Sequence, residues 1–248
     1  MILAILSAAL ALADFSPQQI AQISQSYLGK PYKKEPLNEV TLWREDAFDC
    51  TTFLETVMAK ALSPSPDLLS ATMNRIRYRE QPATLMHRNH FISSEWIPNL
   101  QKLGLIEDQT LQVGLKDIEQ LEVKIDRKKW FKKRYGIDTD LPPVTQQTLY
   151  IPFDFFIKRP SKLGVLPDPV YLINIVRRDP SVVKKLGTAL DISHQGLLVI
   201  GNGKKLFRHA SIDRGKVVEE DFLTYLHRSR RQPGAKGIQI FSFRDLSK

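Results

Sequence analysis

Apolar positions follow two rhythms along this chain, a helical one through the first half and a strand-like one through the second. Residues 16–28 place Ile20, Ile23 and Leu28 behind Ser16-Pro17, a proline in the first turn, and Gly29-Lys30-Pro31-Tyr32 then breaks the segment. A second helix opens at Asp49 and runs through Phe53, Val57 and Ala61 until Ser63-Pro64-Ser65-Pro66 stops it. Further helices are predicted over 67–79 and 96–103, the latter closed by Gly104. Leu115, Ile118, Leu121 and Ile125 recur at helical spacing too, so 115–135 reads as helix ending in the basic run 127–134. Strand-like runs occupy 149–156, 170–176, 195–200, 205–210 and 238–243. Helices gathered first and strands second predict an α+β domain with an antiparallel sheet. No repeat or low-complexity linker interrupts it. A single domain is therefore expected over 14–248, with a helical, basic insertion at about 106–145.

One hairpin can be read in register. Asn202-Gly203 lies between two apolar runs, and a type I′ turn there needs positive φ at both central residues. Gly201 then faces Lys204, Ile200 faces Lys205, Gly196 faces His209 and His194 faces Ser211. Residues directly opposite share a face, as do residues two apart on one strand. His194 and His209 thus become diagonal neighbours, roughly 7–8 Å apart at the backbone and within side-chain reach. Gly196 leaves space in front of His209. A slip of one residue would destroy the relation.

Composition narrows the class without naming it. Of 248 residues, 42% are hydrophobic and 25% charged, the balance of a globular protein. The formal charge of +9 suggests an acidic partner such as nucleic acid, an anionic membrane or a cell-wall polymer. Residues 1–13 form a short apolar run ending in Ala11-Leu12-Ala13, and they read as a signal peptide despite lacking a basic residue ahead of the run. The run is shorter than the roughly 20 residues a membrane helix needs. No later segment reads as a span, and export to the periplasm is expected.

Cys50 is the only cysteine. A lone cysteine is more often a small buried hydrophobe than a nucleophile. This one follows an N-cap aspartate, in a first helical turn whose unpaired N–H groups and dipole favour a thiolate. A thiol there, facing a histidine that a second polar residue holds, is the general form of an activated nucleophile. In that arrangement His194 takes the proton of Cys50 and His209 fixes the ring. The backbone N–H of Cys50 would contribute to an oxyanion hole.

Several segments together resemble a known family. They are the stretch from Tyr27 to Tyr32, Phe48-Asp49-Cys50-Thr51-Thr52-Phe53, Ile76-Arg77-Tyr78-Arg79, His90-Phe91-Ile92-Ser93-Ser94-Glu95-Trp96-Ile97, Leu190-Asp191-Ile192-Ser193-His194-Gln195-Gly196 and His209-Ala210-Ser211. Their order is similar to the N-acetylmuramoyl-L-alanine amidase-like branch of the NlpC-type papain-like cell-wall cysteine hydrolases, over about 27 to 240. The sequence departs from the pattern at Pro167-Asp168-Pro169, where relatives carry Gly-Asp before a buried strand. The resemblance implies a papain-like fold with the nucleophile at a helix N-terminus packed on an antiparallel sheet. It implies catalysis by Cys50, His194 and His209, with Tyr32, Asp49, Thr51, His90 and Trp96 toward the substrate and no cofactor or metal. The implied substrate is peptidoglycan fragments, cut between N-acetylmuramic acid and L-alanine. The competing reaction is γ-D-glutamyl-diaminopimelate endopeptidase activity.

Three other readings exist. A zinc amidase would use His87 and His90 with His194 and His209, but no His-Glu-x-x-His is present and Glu95 lies five residues beyond His90. A nucleic-acid-binding module would use the basic 127–134 with Trp130 and Phe131, together with Arg228-Ser229-Arg230-Arg231. The plainer reading of 127–134 is a solvated helix face whose aromatics pack inward. A non-catalytic muropeptide-binding protein is the third, disfavoured because all three triad positions are filled.

Overall fold

The second-half strands build the sheet on which everything else packs. A computed structural model describes residues 15–34, 44–63, 65–80 and 82–245; the signal-peptide expectation lies outside these residues. The helices are α1 (Pro17–Gln25), α2 (Cys50–Leu62), α3 (Leu69–Arg77), α4 (Ile97–Lys102), α5 (Thr110–Gly114), α6 (Arg127–Tyr135), α7 (Phe153–Lys158), α8 (Pro180–Leu186) and α9 (Phe222–Ser229). The strands are β1 (Ile106–Asp108), β2 (Glu119–Ile125), β3 (Val144–Pro152), β4 (Val170–Arg177), β5 (Ile192–Gly201), β6 (Lys204–Ser211), β7 (Lys216–Asp221) and β8 (Ala235–Phe243). They pair in the order β2-β3-β8-β4-β5-β6-β7, every pair antiparallel, and β1 joins β8 on the same edge as β3. This is an α+β fold.

Both faces of the central strands are covered, which explains why β4 is buried from Val170 to Val176 and apolar there at every position but Asn174. Leu172, Leu197, Ala210 and Phe241 face a core shared with α1, α2, α3 and α4. Their neighbours Ile173, Leu198, Phe207 and Ile240 face a second core with α7 and α9. A third cluster joins β2 to α6 through Leu121, Val123, Ile125, Trp130 and Phe131. The aromatics of the basic run therefore pack inward.

The structure corrects two expected elements. Residues 118–125 are not helical: after a single 3-10 turn at Leu115–Asp117, β2 occupies Glu119–Ile125, and the span 106–145 holds β1 and β2 as well as α5 and α6, of which α6 carries the basic run. Leu121, Val123 and Ile125 are buried while Glu122 and Lys124 are exposed, a period of two that the sparser spacing of Leu115, Ile118, Leu121 and Ile125 concealed. The run 149–156 is also split. Pro152 ends β3, having no N–H for a further ladder bond, and α7 then buries Phe153, Phe155 and Phe156.

The hairpin has the expected register from the turn out to Leu197↔Arg208, where its ladder ends short of the expected pairs Gly196 with His209 and His194 with Ser211. Leu197↔Arg208, Leu198↔Phe207, Val199↔Leu206, Ile200↔Lys205 and Gly201↔Lys204 pair across it, with φ of 49° at Asn202 and 71° at Gly203. At the other end of β5 a bulge intervenes between Ile175↔His194 and Val176↔Ile192, leaving Ser193 without an opposite residue. Bulges bend a strand and re-aim its side chains. His194 sits beside this one.

Candidate active site

Cys50 is the first residue of α2 and is half-buried. Asp49 is fully engaged as the cap. Its Oδ1 accepts from Thr52 N at 2.8 Å, and the Thr52 hydroxyl lies 2.9 Å from Asp49 N. This is a reciprocal capping box with threonine in the place usually held by Glu or Gln. The helix start is tied to the sheet by Thr51, whose hydroxyl donates to Gln195 Oε1 at 3.0 Å. Gln195 Nε2 in turn donates to Asn174 Oδ1 at 2.8 Å, and Asn174 Nδ2 donates to Gln239 Oε1 at 3.1 Å. This buried amide chain crosses β5, β4 and β8. It fixes Thr51, and so Cys50, against the residue that follows His194.

The two histidines meet. His194 Nε2 lies 2.7 Å from His209 Nδ1, with the rings edge to face. Among the described residues no hydrogen bond joins Cys50 to His194. His209 Nε2 lies 3.0 Å from Glu220 Oε1. Arg228 grips the same carboxylate twice, Nη1 on Oε2 at 2.6 Å and Nη2 on Oε1 at 2.7 Å. Tyr225 packs on His209 and Phe207, with centroid separations of 5.2 and 4.3 Å. A pocket of about 160 Å³ opens beside the pair, lined among others by His194, His209, Ser211, Asp213, Tyr225 and Arg228.

Gly196 is required by this packing. A Cβ there would lie 2.5 Å from Phe207 Cζ and 2.8 Å from His209 Cβ. The space expected in front of His209 is thus filled by the approach of Phe207 and His209 themselves.

The electrostatics correct the expectation of a standing thiolate. Burial, and then the Asp49 charge, push the Cys50 thiol up to about 12. Burial also drives His194 well below its ordinary value, aided by the charges of His209 and Arg228. For His209, burial lowers the ring while Glu220 opposes, and the net direction is down. Thiol and imidazoles are therefore all neutral at rest. One helix start does not outweigh burial beside a carboxylate.

Tyr32 is brought near Asp49. It bridges Phe48, and its N–H donates to Gly215 O at 2.8 Å. Trp96 and His90 do not line the pocket. Trp96 has no exposed surface and belongs to the first core, so it is not available to substrate. The His90 Nε2 lies 2.8 Å from Leu85 O, its ring packs against Trp130 and Phe131, and burial first of all lowers it to about 3. Among the described residues no group of three or more His, Cys, Asp or Glu side chains is arranged to hold a metal ion. His87 Nδ1 instead lies 2.8 Å from Pro82 O.

Sequence reading missed Gln195, Glu220, Tyr225 and Arg228. Glu220 was accessible in principle, because Asp213-Arg214-Gly215 is a turn signal between 205–210 and Val217-Val218.

Fold and site together define an α+β protein in which a helix opened by a capped cysteine is tied through Thr51 to Gln195, the neighbour of one of two buried histidines in contact. The chain belongs to the AmiA-like, N-acetylmuramoyl-L-alanine amidase-like family, whose model matches residues 22–235. No protein among the curated ones matches it. A protein of known structure from Legionella pneumophila strain Philadelphia 1 is similar at 26% identity and a TM-score of 0.84, over 92% of this chain and 88% of that one. An N-acetylmuramoyl-L-alanine amidase from Bacteroides uniformis has a similar fold at 23% identity and a TM-score of 0.70, over 92% and 98%. A Bacteroides fragilis protein provisionally described as a xylanase also shares the fold, at 24% identity and a TM-score of 0.69 over 89% and 98%. Family membership supports a cell-wall amidase-like function. No helix among the described residues is long and apolar enough to cross a membrane.

Proposed function

We propose that this chain is a cysteine-dependent N-acetylmuramoyl-L-alanine amidase of cell-wall fragments, a single papain-like catalytic domain of NlpC type acting in the periplasm. One observation carries the reading. Cys50 opens a helix that Thr51 ties to Gln195, and the preceding residue, His194, is held by His209 at 2.7 Å.

Because thiol and imidazole are neutral at rest, proton transfer accompanies attack. Nδ1 of His194, the nitrogen not used in the bond to His209, takes the thiol proton as Sγ attacks the lactyl carbonyl of the muramic acid. The oxyanion that forms meets the unpaired N–H groups at the start of α2. Collapse breaks the C–N bond, and His194 returns the proton to the departing L-alanine amine. Water, deprotonated by His194, then cleaves the thioester, releasing the muramic carboxylate and the thiol. Asp49 and Thr51 act by fixing the helix start.

Mass spectrometry of anhydro-muropeptides incubated with the protein tests the bond assignment. Free intact peptide plus anhydro-sugar is expected. A sugar still carrying L-Ala-D-Glu would reassign the activity to γ-D-glutamyl-diaminopimelate cleavage. Unchanged turnover by Cys50→Ala would remove the mechanism.

A further inference from the structure

Glu220 belongs to none of the motifs that pointed to the site, yet its carboxylate ends the line of contacts through the histidines. An ionised carboxylate only accepts hydrogen bonds, and a guanidinium only donates them. Burial would raise the Glu220 carboxyl, but its bonds to Arg228 and His209 outweigh this and hold it below the ordinary value. Both oxygens are committed as acceptors, Oε1 to His209 and Arg228, Oε2 to Arg228. Nε2 of His209 must therefore carry the ring proton.

A neutral imidazole has one N–H, so Nδ1 of His209 is bare and accepts. The 2.7 Å contact then runs from Nε2–H of His194 to Nδ1 of His209. That leaves Nδ1 of His194 bare. The reversed chain, with protons on both Nδ1 atoms, has the same heavy-atom geometry but presents a donor at Nδ1 of His194, where a base is needed. Ring positions alone do not choose between the two. The carboxylate does.

We propose that Glu220 is a positioning residue that sets the tautomer of both histidines, with Arg228 as the clamp that keeps its carboxylate aimed at His209. The proposal rests on the Cys50–His194 reading above. Arg228 lies in the last turn of α9 and Glu220 at the end of β7, just before the Asp221 cap of that helix. The clamp is therefore built by the β7–α9 junction. When His194 takes a proton during turnover, the cation formed is bonded through His209 to this carboxylate, which moves no further than its hydrogen bonds allow.

Imidazole ¹⁵N NMR of histidine-labelled protein above pH 7 tests the proposal directly, beside steady-state kinetics on anhydro-muropeptides. Both rings in the unmodified protein are expected as the Nε2–H tautomer. Glu220→Ala should give mixed tautomers and a kcat about 10²–10⁴-fold lower with KM little changed. Glu220→Gln keeps a carbonyl acceptor for His209, so it should retain the tautomer and lose less activity than the alanine variant. Rings that remain Nε2–H in Glu220→Ala, or a kcat within about threefold of the unmodified protein while Cys50→Ala is inactive, would overturn the proposal. Full activity of Cys50→Ala would instead overturn the nucleophile assignment, and the NMR spectra would still decide the tautomer claim alone.

Discussion

Gly196 shows how little room the site leaves at single residues. Its backbone lies against Phe207 and the base of His209, so Gly196→Ala forces a Cβ into contacts of 2.5–2.8 Å. We predict a loss of about 1–3 kcal/mol by urea unfolding, the usual cost of overpacking. A tenfold or greater fall in kcat should accompany it as His209 is displaced. Thr51 is the other sensitive point. Thr51→Val removes the hydrogen that Gln195 Oε1 accepts and leaves that buried oxygen unpaired, at a cost of about 1–3 kcal/mol. It also loosens Cys50 relative to His194, so kcat should fall more than KM rises. A loss of stability with unchanged kcat would limit the amide chain to a structural role.

Among the elements, α2 and α3 are joined by a pair that the apolar pattern gave no reason to expect. Arg77 Nε and Nη2 donate to Glu55 Oε2 at 2.9 and 2.6 Å, and both side chains are 1% exposed. Removing one partner of such a pair strands a charge in the core and costs about 3–5 kcal/mol. Arg77→Met should therefore destabilise by that amount in urea unfolding, and adding Glu55→Met should restore much of it. No recovery in the double variant would mean that the pair stabilises beyond mutual compensation. The elements also show what the sequence could and could not disclose. Asn202-Gly203 fixed the hairpin, and with it the meeting of His194 and His209, because turn chemistry is local. Asp49 and the prolines beyond Ser63 bounded α2 for the same reason. The strand β2 was hidden because Leu121 and Ile125 satisfy a helical spacing and a strand alternation alike, and only pairing with β3 chooses. The turn signal at 213–215 could have placed the strand that carries Glu220, but not its role, because its partners come from β6 and α9, an assembly that no single segment encodes.

At the scale of the whole molecule, neutral buried histidines link stability to pH. His90, His194 and His209 all lie below their ordinary value, with burial the first cause in each. As pH falls below about 6.5 the unfolded chain takes up protons at these positions while the folded chain does not. Each ring can then cost up to about 1.4 kcal/mol per pH unit until its folded value is reached, near 3 for His90. The unfolding free energy should be full above pH 6.5 and decline between 6.5 and 4.5, before most carboxylates titrate. A flat urea midpoint over that window would show that the rings are not held neutral. The same neutrality shapes the chemistry, since a thiol pushed up to about 12 reacts only as His194 takes its proton. Peptide mapping by mass spectrometry after acid quench during turnover of anhydro-muropeptides tests directly whether Cys50 is the nucleophile. A muramoyl thioester is expected on the peptide containing Cys50, absent in Cys50→Ala, which should also be inactive. Turnover with no adduct at Cys50, and undiminished in Cys50→Ala, would contradict that assignment.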